Sequence, residues 1–334
     1  MHCCPGCFVD TEIKAIVSGL SDAKGKCDIC GNVDTEVTAI EELSDYFSPI
    51  LDLYEADDDA SSNIHQVLNS DWHIFTNQDC SRRILGEMFS ASPYNNLLNQ
   101  NVRPNYIDDS NSADIWNDFT EEIKEKNRFF ITNNLFVRNV IEKLLKYHTL
   151  TLRAGTKFYR GRICDTPSGL PVDKLGAPPQ KKARPGRANP QGISYLYLAK
   201  SEETTLYEIR ASFLDYVTIG EFELTENLRI VALKEIENVS PFLPDLDLKE
   251  YVTNKNILHQ FGAALSKPLR RIDSDLEYLP TQYLCEYIKS LGIDGVEYAS
   301  AMHTRGVNYA FFDESKFRCV GSSIKEVKSI VIET

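Results

Sequence analysis

The 334-residue chain has no uninterrupted apolar run near the ~20 residues that a membrane-spanning helix requires. It is also short of positive charge: 49 Asp and Glu stand against 36 Lys and Arg, for a net charge of −13. A protein whose main task is gripping nucleic acid carries a basic surplus, because it must displace phosphate counterions. The overall balance argues against nucleic acid as the principal partner, although local basic patches are compatible with it, whereas a small anionic ligand needs only a few positioned cations. The opening Met1-His2-Cys3-Cys4-Pro5 lacks the basic and apolar regions of a signal peptide, so a soluble cytoplasmic protein, with no membrane partner, is the expectation. Disorder is excluded as well, since 42% apolar and 25% charged residues form an ordinary globular balance. The length allows two domains, or one large domain with an appendage.

Cysteine is present but unevenly spread. Five of the nine fall within the first 30 residues, and Cys80, Cys164, Cys285 and Cys319 stand singly. That is no disulfide framework, and it reads as a metal site in a reducing compartment. Cys4-Pro5-Gly6-Cys7 and Cys27-Asp28-Ile29-Cys30-Gly31 are two matched knuckles with 19 residues between them. A tetrahedral thiolate cage needs two such pairs joined by a loop, and Gly31 suits the turn under the second. The reading is structural Zn2+ on Cys4, Cys7, Cys27 and Cys30, with Cys3 or His2 as a substitute for one member. Four sulfur ligands leave no open position for catalysis.

From about residue 40 to 148 the periodicity is helical. Leu43, Phe47, Ile50, Leu51 and Tyr54 recur at three- and four-residue steps, and Phe119, Ile123, Phe130, Val137, Ile141, Leu144 and Leu145 outline further helices. Asp57-Asp58-Asp59 reads as a solvated turn, and Asn95 to Ser112 as loop. Beyond residue 153, extended and helical stretches alternate. Strands are expected at 156–159, 195–198, 217–224, 228–233, 295–300 and 307–312, with 217–224 and 228–233 forming a hairpin about Thr225-Glu226-Asn227. Helices are expected at 202–214, capped by Ser201, and at 281–291, ended by Gly292. Thr166 to Gly192 holds six prolines, four glycines and five Lys or Arg, which fits a disordered segment or a functional loop, with a lid as one use. The pattern is α+β.

Three separated residues sit in contexts that belong together. Arg160 lies in Lys157-Phe158-Tyr159-Arg160-Gly161-Arg162, and Glu208 follows Tyr195-Leu196-Tyr197-Leu198-Ala199 and Thr204-Thr205-Leu206-Tyr207. Ser300 ends Gly295-Val296-Glu297-Tyr298-Ala299-Ser300, just before Gly306-Val307-Asn308. This order resembles the RES domain, named for its arginine, glutamate and serine, over roughly residues 153–320. The resemblance implies an α+β fold similar to that of ADP-ribosyltransferases and an enzyme that destroys NAD+. The helical region is similar to the N-terminal regions described as HEPN-like in that family. The arginine-then-histidine spacing of HEPN RNases is absent, because Arg138 and His148 are too far apart and Arg82-Arg83 has no partner. The region reads as scaffolding or partner-sensing, with His65, His73 and His148 as solvated or packing residues. The division is then 1–38 zinc knuckle, 39–152 helical and 153–334 RES domain.

Cleaving the nicotinamide–ribose bond builds positive charge on the ribose, which a fixed carboxylate can stabilise. The resemblance gives Glu208 that place, with Arg160 and Ser300 completing the catalytic set. Arg160 and Arg187, the latter in Gly186-Arg187-Ala188-Asn189-Pro190, are the family's two arginines and suit the pyrophosphate as bidentate forks. Arg162 is a weaker candidate that shares the face of Arg160 only if the strand is regular. Tyr159 and Tyr197 either stack on nicotinamide or adenine or serve as core aromatics. Ser300 and Asn308 are expected to hydrogen-bond ribose or carboxamide, Ser300 not as a nucleophile, since no neighbouring base marks it. The acceptor is water (a glycohydrolase) or phosphate (a phosphorylase). The family further implies a toxin held in check by an antitoxin or immunity protein, or by the helical region, with phage defence as a setting and a homo-oligomer compatible with the chain. The alternatives are an ADP-ribosyltransferase acting on a macromolecule and a non-catalytic zinc and helical interaction protein.

Overall fold

The structure is a computed structural model that describes residues 1–106, 112–132, 140–234, 236, 239–268 and 275–329. Val137 and Arg138 lie outside the described residues. Contacts divide the chain into two units, 1–111 with 237–255, and 112–236 with 256–334. This grouping differs from a linear division at residues 38 and 152. Phe242 packs its ring on Phe47 at 5.0 Å and Ser240 bonds Asp10, which ties the 237–255 segment to the first unit. Phe119 meets Tyr283 at 5.8 Å and Lys124 pairs with Glu277, which ties residues 112–126 to the second.

In the first unit, β1 (His2–Cys3), β2 (Ala23–Gly25) and β3 (Thr35–Ala39) form a small sheet in the order β1-β3-β2. Helix α1 (Thr11–Leu20) starts at Asp10, whose carboxylate accepts from the Glu12 and Ile13 amides and satisfies donors that the first turn leaves unpaired. Helix α2 (Ser44–Leu51) buries Phe47, Ile50 and Leu51, the stripe expected from their spacing. Tyr54 instead opens β4 (Tyr54–Ala56), which pairs with β5 (Val102–Pro104). Helices α3 (Ile64–Trp72), α4 (Gln78–Met88) and α5 (Asn95–Leu98) complete the unit. The expectation of loop from Asn95 onward fails at α5 and β5, because β5 takes its hydrogen bonds from a strand some 50 residues away, which local composition does not encode. Phe130 is not core but 87% exposed.

In the second unit, α6 (Ser112–Glu121) runs into a π-helical turn at 122–126, and α7 (Glu142–Tyr147) precedes the sheet. The sheet has eight strands: β6 (Thr149–Leu152), β7 (Lys157–Cys164), β8 (Leu196–Ala199), β9 (Tyr216–Leu224), β10 (Leu228–Ala232), β11 (Gly295–Ala299), β12 (Val307–Phe311) and β13 (Phe317–Glu326). Their order is β13-β9-β7-β8-β12-β11-β10-β6. The α+β class holds.

The expected hairpin is a corner. β9 and β10 are not neighbours; β9 pairs with β7, and β10 continues in the same antiparallel register against β6. The two-stranded ribbon bends as a pair at 153–156 and 225–227, where Asn227 accepts from the Ala154 amide. A three-residue link between two strands does not reveal whether the chain reverses or bends; the partner strand decides it. Phe158, Leu196, Leu198, Phe222, Tyr309 and Phe311 form the core on one face of the sheet, by the two-residue alternation of strands.

Helix α8 (Glu202–Glu208) starts at Ser201 as expected but ends at Glu208, with Arg210 left-handed at φ 52°. It stops because Leu214 and Asp215 exchange backbone bonds with Val327 and so enter the sheet. Helix α9 (Leu248–Ser266) begins in the first unit's 237–255 segment, and α10 (Leu279–Ser290) ends before Gly292 at φ 74°. The Pro/Gly-rich stretch 166–192 is packed down rather than free. Leu175 is fully buried, Leu170 N–H donates to Thr218, and Ala177 N–H donates to Glu314. Within that stretch, the pocket wall takes only Pro185, Gly186 and Arg187.

Candidate active site

The sheet leaves an opening where β7 and β8 part. They pair only at Tyr159 with Ala199, and the next opposed residues, Gly161 and Tyr197, separate. Their edge groups find other partners. The Gly161 amide donates to Thr205 Oγ1 at 2.6 Å, and the Tyr197 carbonyl accepts from Arg160 Nη1 at 3.4 Å. A backbone group left unpaired at such a split would cost free energy, so these substitutes fix the opening. A pocket of about 390 Å³ occupies it.

Glu208, the last residue of α8, is the hub. Its Oε2 accepts from Arg187 Nη2 at 3.0 Å, and its Oε1 accepts from Ser300 Oγ and Asn308 Nδ2, each at 2.6 Å. Helix α8 is held against β7 because Gly161 has no side chain: a Cβ there would lie 3.1 Å from both Ile209 and Thr205. The Arg187–Glu208 pair is mostly shielded, with 15% and 18% of each side chain exposed. Although burial opposes it, Tyr298, Glu208 and Tyr278 together raise the Arg187 guanidinium above its usual range. Arg187 is fixed further by donation to the Ser266 carbonyl, and its own carbonyl accepts from Thr281.

Ser300 bonds Glu208 without itself lining the pocket. Its hydroxyl donates to Glu208 and accepts from the Met302 and His303 amides, which uses all its hydrogen-bonding capacity. Asn308, 4% exposed, does line the pocket.

Arg160 also lines the pocket, but it starts from the core side of the sheet. In the unbroken β7 register it alternates with Tyr159 and Gly161, so it shares the face of Phe158 and Arg162. Burial and the like charge of Arg162 lower its guanidinium to about 10, still charged at neutral pH. Arg162 turns away, donating to the Gly176 carbonyl at 2.7 Å. Sequence reasoning gave both Arg160 and Arg187 to the pyrophosphate; both line the pocket, with Arg187 paired to the Glu208 carboxylate and Arg160 donating to the Tyr197 carbonyl.

Tyr159 and Tyr197 line the pocket with Tyr278 and Tyr298. Burial raises the Tyr197 phenol, whose hydroxyl accepts from the Ala188 amide and donates to Asn189, so only its ring faces a ligand. Tyr278, Tyr298, Thr205 and Gly161 were not anticipated. Gly161, a lone glycine inside a strand, carried a signal of close approach. Tyr298 was legible by alternation from Ser300, whereas nothing local marked Tyr278.

In the first unit, the sulfurs of Cys4, Cys7, Cys27 and Cys30 all lie within 4.8 Å of one another. Cys4 and Cys30 are 3.5 Å apart, as are Cys7 and Cys27. Zinc–thiolate bonds of about 2.3 Å in a tetrahedron put sulfurs roughly 3.8 Å apart, so the four residues fit a zinc ion. Against burial, the Cys30 and Ile29 amides lower the Cys27 thiol to about 7, whereas burial raises Cys4 to about 11 and Cys7 further still, so it is a bound cation that would hold all four as thiolates. Cys3 and His2 fall outside the cluster: Cys3 is buried with its thiol pushed up to about 12, mainly by burial, and His2 lies 3.7 Å from Asp28.

The family model for the RES domain matches residues 162–329, just over half of the 334 residues. The chain belongs to the RES domain family. Glu208, Arg187, Ser300 and Asn308 fall inside the match, and Arg160 two residues before it. Among solved structures, the crystal structure of the M. tuberculosis MbcT-MbcA toxin-antitoxin complex matches at 14% identity and a TM-score of 0.35, over 56% of this chain and 92% of that one. No curated protein matches. Among the described residues, no helix is long and apolar enough to cross a membrane.

Proposed function

We propose that the RES unit cleaves the nicotinamide–ribose bond of NAD+. The observation that carries this reading is a carboxylate that lines a pocket shared with four tyrosines, fixed on both oxygens by Arg187, Ser300 and Asn308. As the glycosidic bond breaks, its electron pair leaves on the nicotinamide nitrogen and positive charge develops on the ribose. Glu208 is the group placed to stabilise that charge, and three preset donors keep it from reorienting during the step. Water or phosphate then supplies the oxygen that bonds the anomeric carbon, and in the case of water a proton is released. Ser300 is a positioning residue in this scheme, because its valences are spent on Glu208 and on its own loop. Tyr159 and Tyr197 offer ring faces to the flat bases. Arg160 and Arg187 meet the pyrophosphate, Arg187 while remaining paired to Glu208.

Zn2+ on Cys4, Cys7, Cys27 and Cys30 is a structural staple that joins the turn before α1 to the loop between β2 and β3. Membership of the RES domain family supports an antitoxin or immunity protein as partner and toxin action through NAD+ loss as parts of this reading. The test is product analysis of NAD+ incubated with the protein, with and without phosphate. Free nicotinamide with ADP-ribose, or with its phosphate ester when phosphate is present, is expected. Label transferred to a macromolecule would replace cleavage by transfer, and intact NAD+ would defeat the reading.

A further inference from the structure

Ser300 opens the turn, residues 300–306, that joins β11 to β12. The turn is closed on itself: the Ser300 amide donates to the Gly306 carbonyl at 2.9 Å, and the Gly306 amide to the His303 carbonyl at 2.8 Å. It is also cramped, since a Cβ on Gly306 would lie 2.9 Å from both the His303 carbonyl oxygen and the Ser300 Cβ. Arg305 is left-handed at φ 65°, a conformation that non-glycine residues rarely adopt. Residues 301, 302, 304 and 305 are exposed, whereas the His303 side chain between them is only 21% exposed. That imidazole does not line the pocket. What holds it down in a solvated turn is helix α8.

The His303 ring stacks on Tyr207, with centroids 4.8 Å apart and planes within 1° of parallel. Its Nδ1 is hydrogen-bonded to Thr204 Oγ1 at 3.0 Å, and its Nε2 lies 3.7 Å from the Glu203 carboxylate. Residues three and four apart are neighbours on a helix, so Glu203, Thr204, Tyr207 and Glu208 make one face of α8. The turn grips that face at two points: His303 takes the first three residues, and Ser300 takes Glu208 Oε1 at 2.6 Å. The two grips are joined within the turn, because the His303 amide donates to Ser300 Oγ at 3.1 Å. Thr204 is 1% exposed and also bonds the capping residue Ser201, so the ring docks on the anchored start of the helix. The anchoring matters because α8 has only seven residues and Glu208 is the last. A helix that short is placed by tertiary contacts rather than by its own propensity.

We infer that His303 is a positioning residue for the cleavage step, resting on the reading proposed above. Its ring docks the 300–306 turn on α8 and so keeps Ser300 Oγ on the Glu208 carboxylate, from outside the pocket. The test uses the full chain, with nicotinamide release as the assay. His303→Ala is expected to lower kcat about fivefold, with the NAD+ KM within about twofold of wild type. In a Ser300→Ala background the same substitution should lower kcat by less than about twofold, because the hydroxyl it positions is gone. A residue that only stabilises the fold would act alike in both backgrounds. Hydrogen exchange of the amides in 300–306 should quicken in His303→Ala. Should that variant fail to fold, His303→Phe, which keeps the stack on Tyr207 and removes the Thr204 bond, carries the same comparison. A folded variant with wild-type kcat, a rise in KM alone, or an equal loss in both backgrounds overturns the inference while leaving NAD+ cleavage standing. If the wild type leaves NAD+ intact, the cleavage reading falls by itself. Exchange then decides the clasp: faster exchange in the variant upholds it, and unchanged exchange overturns it.

Discussion

Glu208→Gln removes one negative charge while keeping the shape of the side chain and an oxygen for Asn308 and Ser300 to address. The site is enclosed enough for its charges to be poorly screened: 18% of the Glu208 side chain and 15% of Arg187 are exposed. With an effective dielectric of about 20, a carboxylate about 4 Å from a cationic ribose contributes about 4 kcal/mol. That corresponds to a rate factor of about a thousand. Because the charge develops only in the transition state, the loss should fall on kcat and leave KM little changed. Arg187 loses its counter-charge but keeps the Ser266 carbonyl, so the folding cost is about 1–2 kcal/mol. The assay is initial-rate nicotinamide release by liquid chromatography, with a thermal melt to verify folding. A folded Glu208→Gln protein that retains a tenth or more of wild-type kcat would refute the electrostatic role of the carboxylate.

Ser300→Ala and Asn308→Ala each delete one 2.6 Å bond to the same carboxylate oxygen. Each should lower kcat about tenfold, and the double variant should depart from multiplicative behaviour because the two share Oε1; independent effects would argue against joint positioning. Chelation, or Cys4→Ser with Cys27→Ser, should release about one zinc per chain and unfold the first unit, as read by metal analysis and circular dichroism. Protein purified without zinc that melts as before would contradict that expectation. His148 is pushed down from 6.5 to about 4, mainly by burial and then by His259, so the unfolded chain takes up its proton first as pH falls. Stability from this group is complete above pH 6.5 and should drop by roughly 3 kcal/mol as pH falls to 4. Urea melts at pH 7 and pH 5 should show a weaker pH dependence for His148→Gln than for the wild type. Equal dependence would show that His148 is not the group responsible.

Much of the site was legible because the chain repeats its chemistry in short, patterned contexts. The spacing of Cys4, Cys7, Cys27 and Cys30 specified a cluster, and the fold closes it within 4.8 Å. Ser201 marked the start of α8, and Gly292 the end of α10, because capping is a local backbone requirement. Glu208, Arg187 and Asn308 were singled out one by one from their surroundings, and the fold brings the three together. What those surroundings lacked was direction.

The amino-acid order alone determined which residues were available, where several helices start or stop, and that the charge balance argues against nucleic acid as the principal partner while leaving room for a small anionic ligand. Only the folded chain decided how they meet. The ribbon of β7 and β9 bends instead of closing a hairpin, β7 and β8 part at Gly161 and Tyr197, and Arg187 takes Glu208. Each of these depends on which strand lies alongside, a choice made by long-range pairing and burial. Caps and knuckles are short-range and therefore written locally; partners are not.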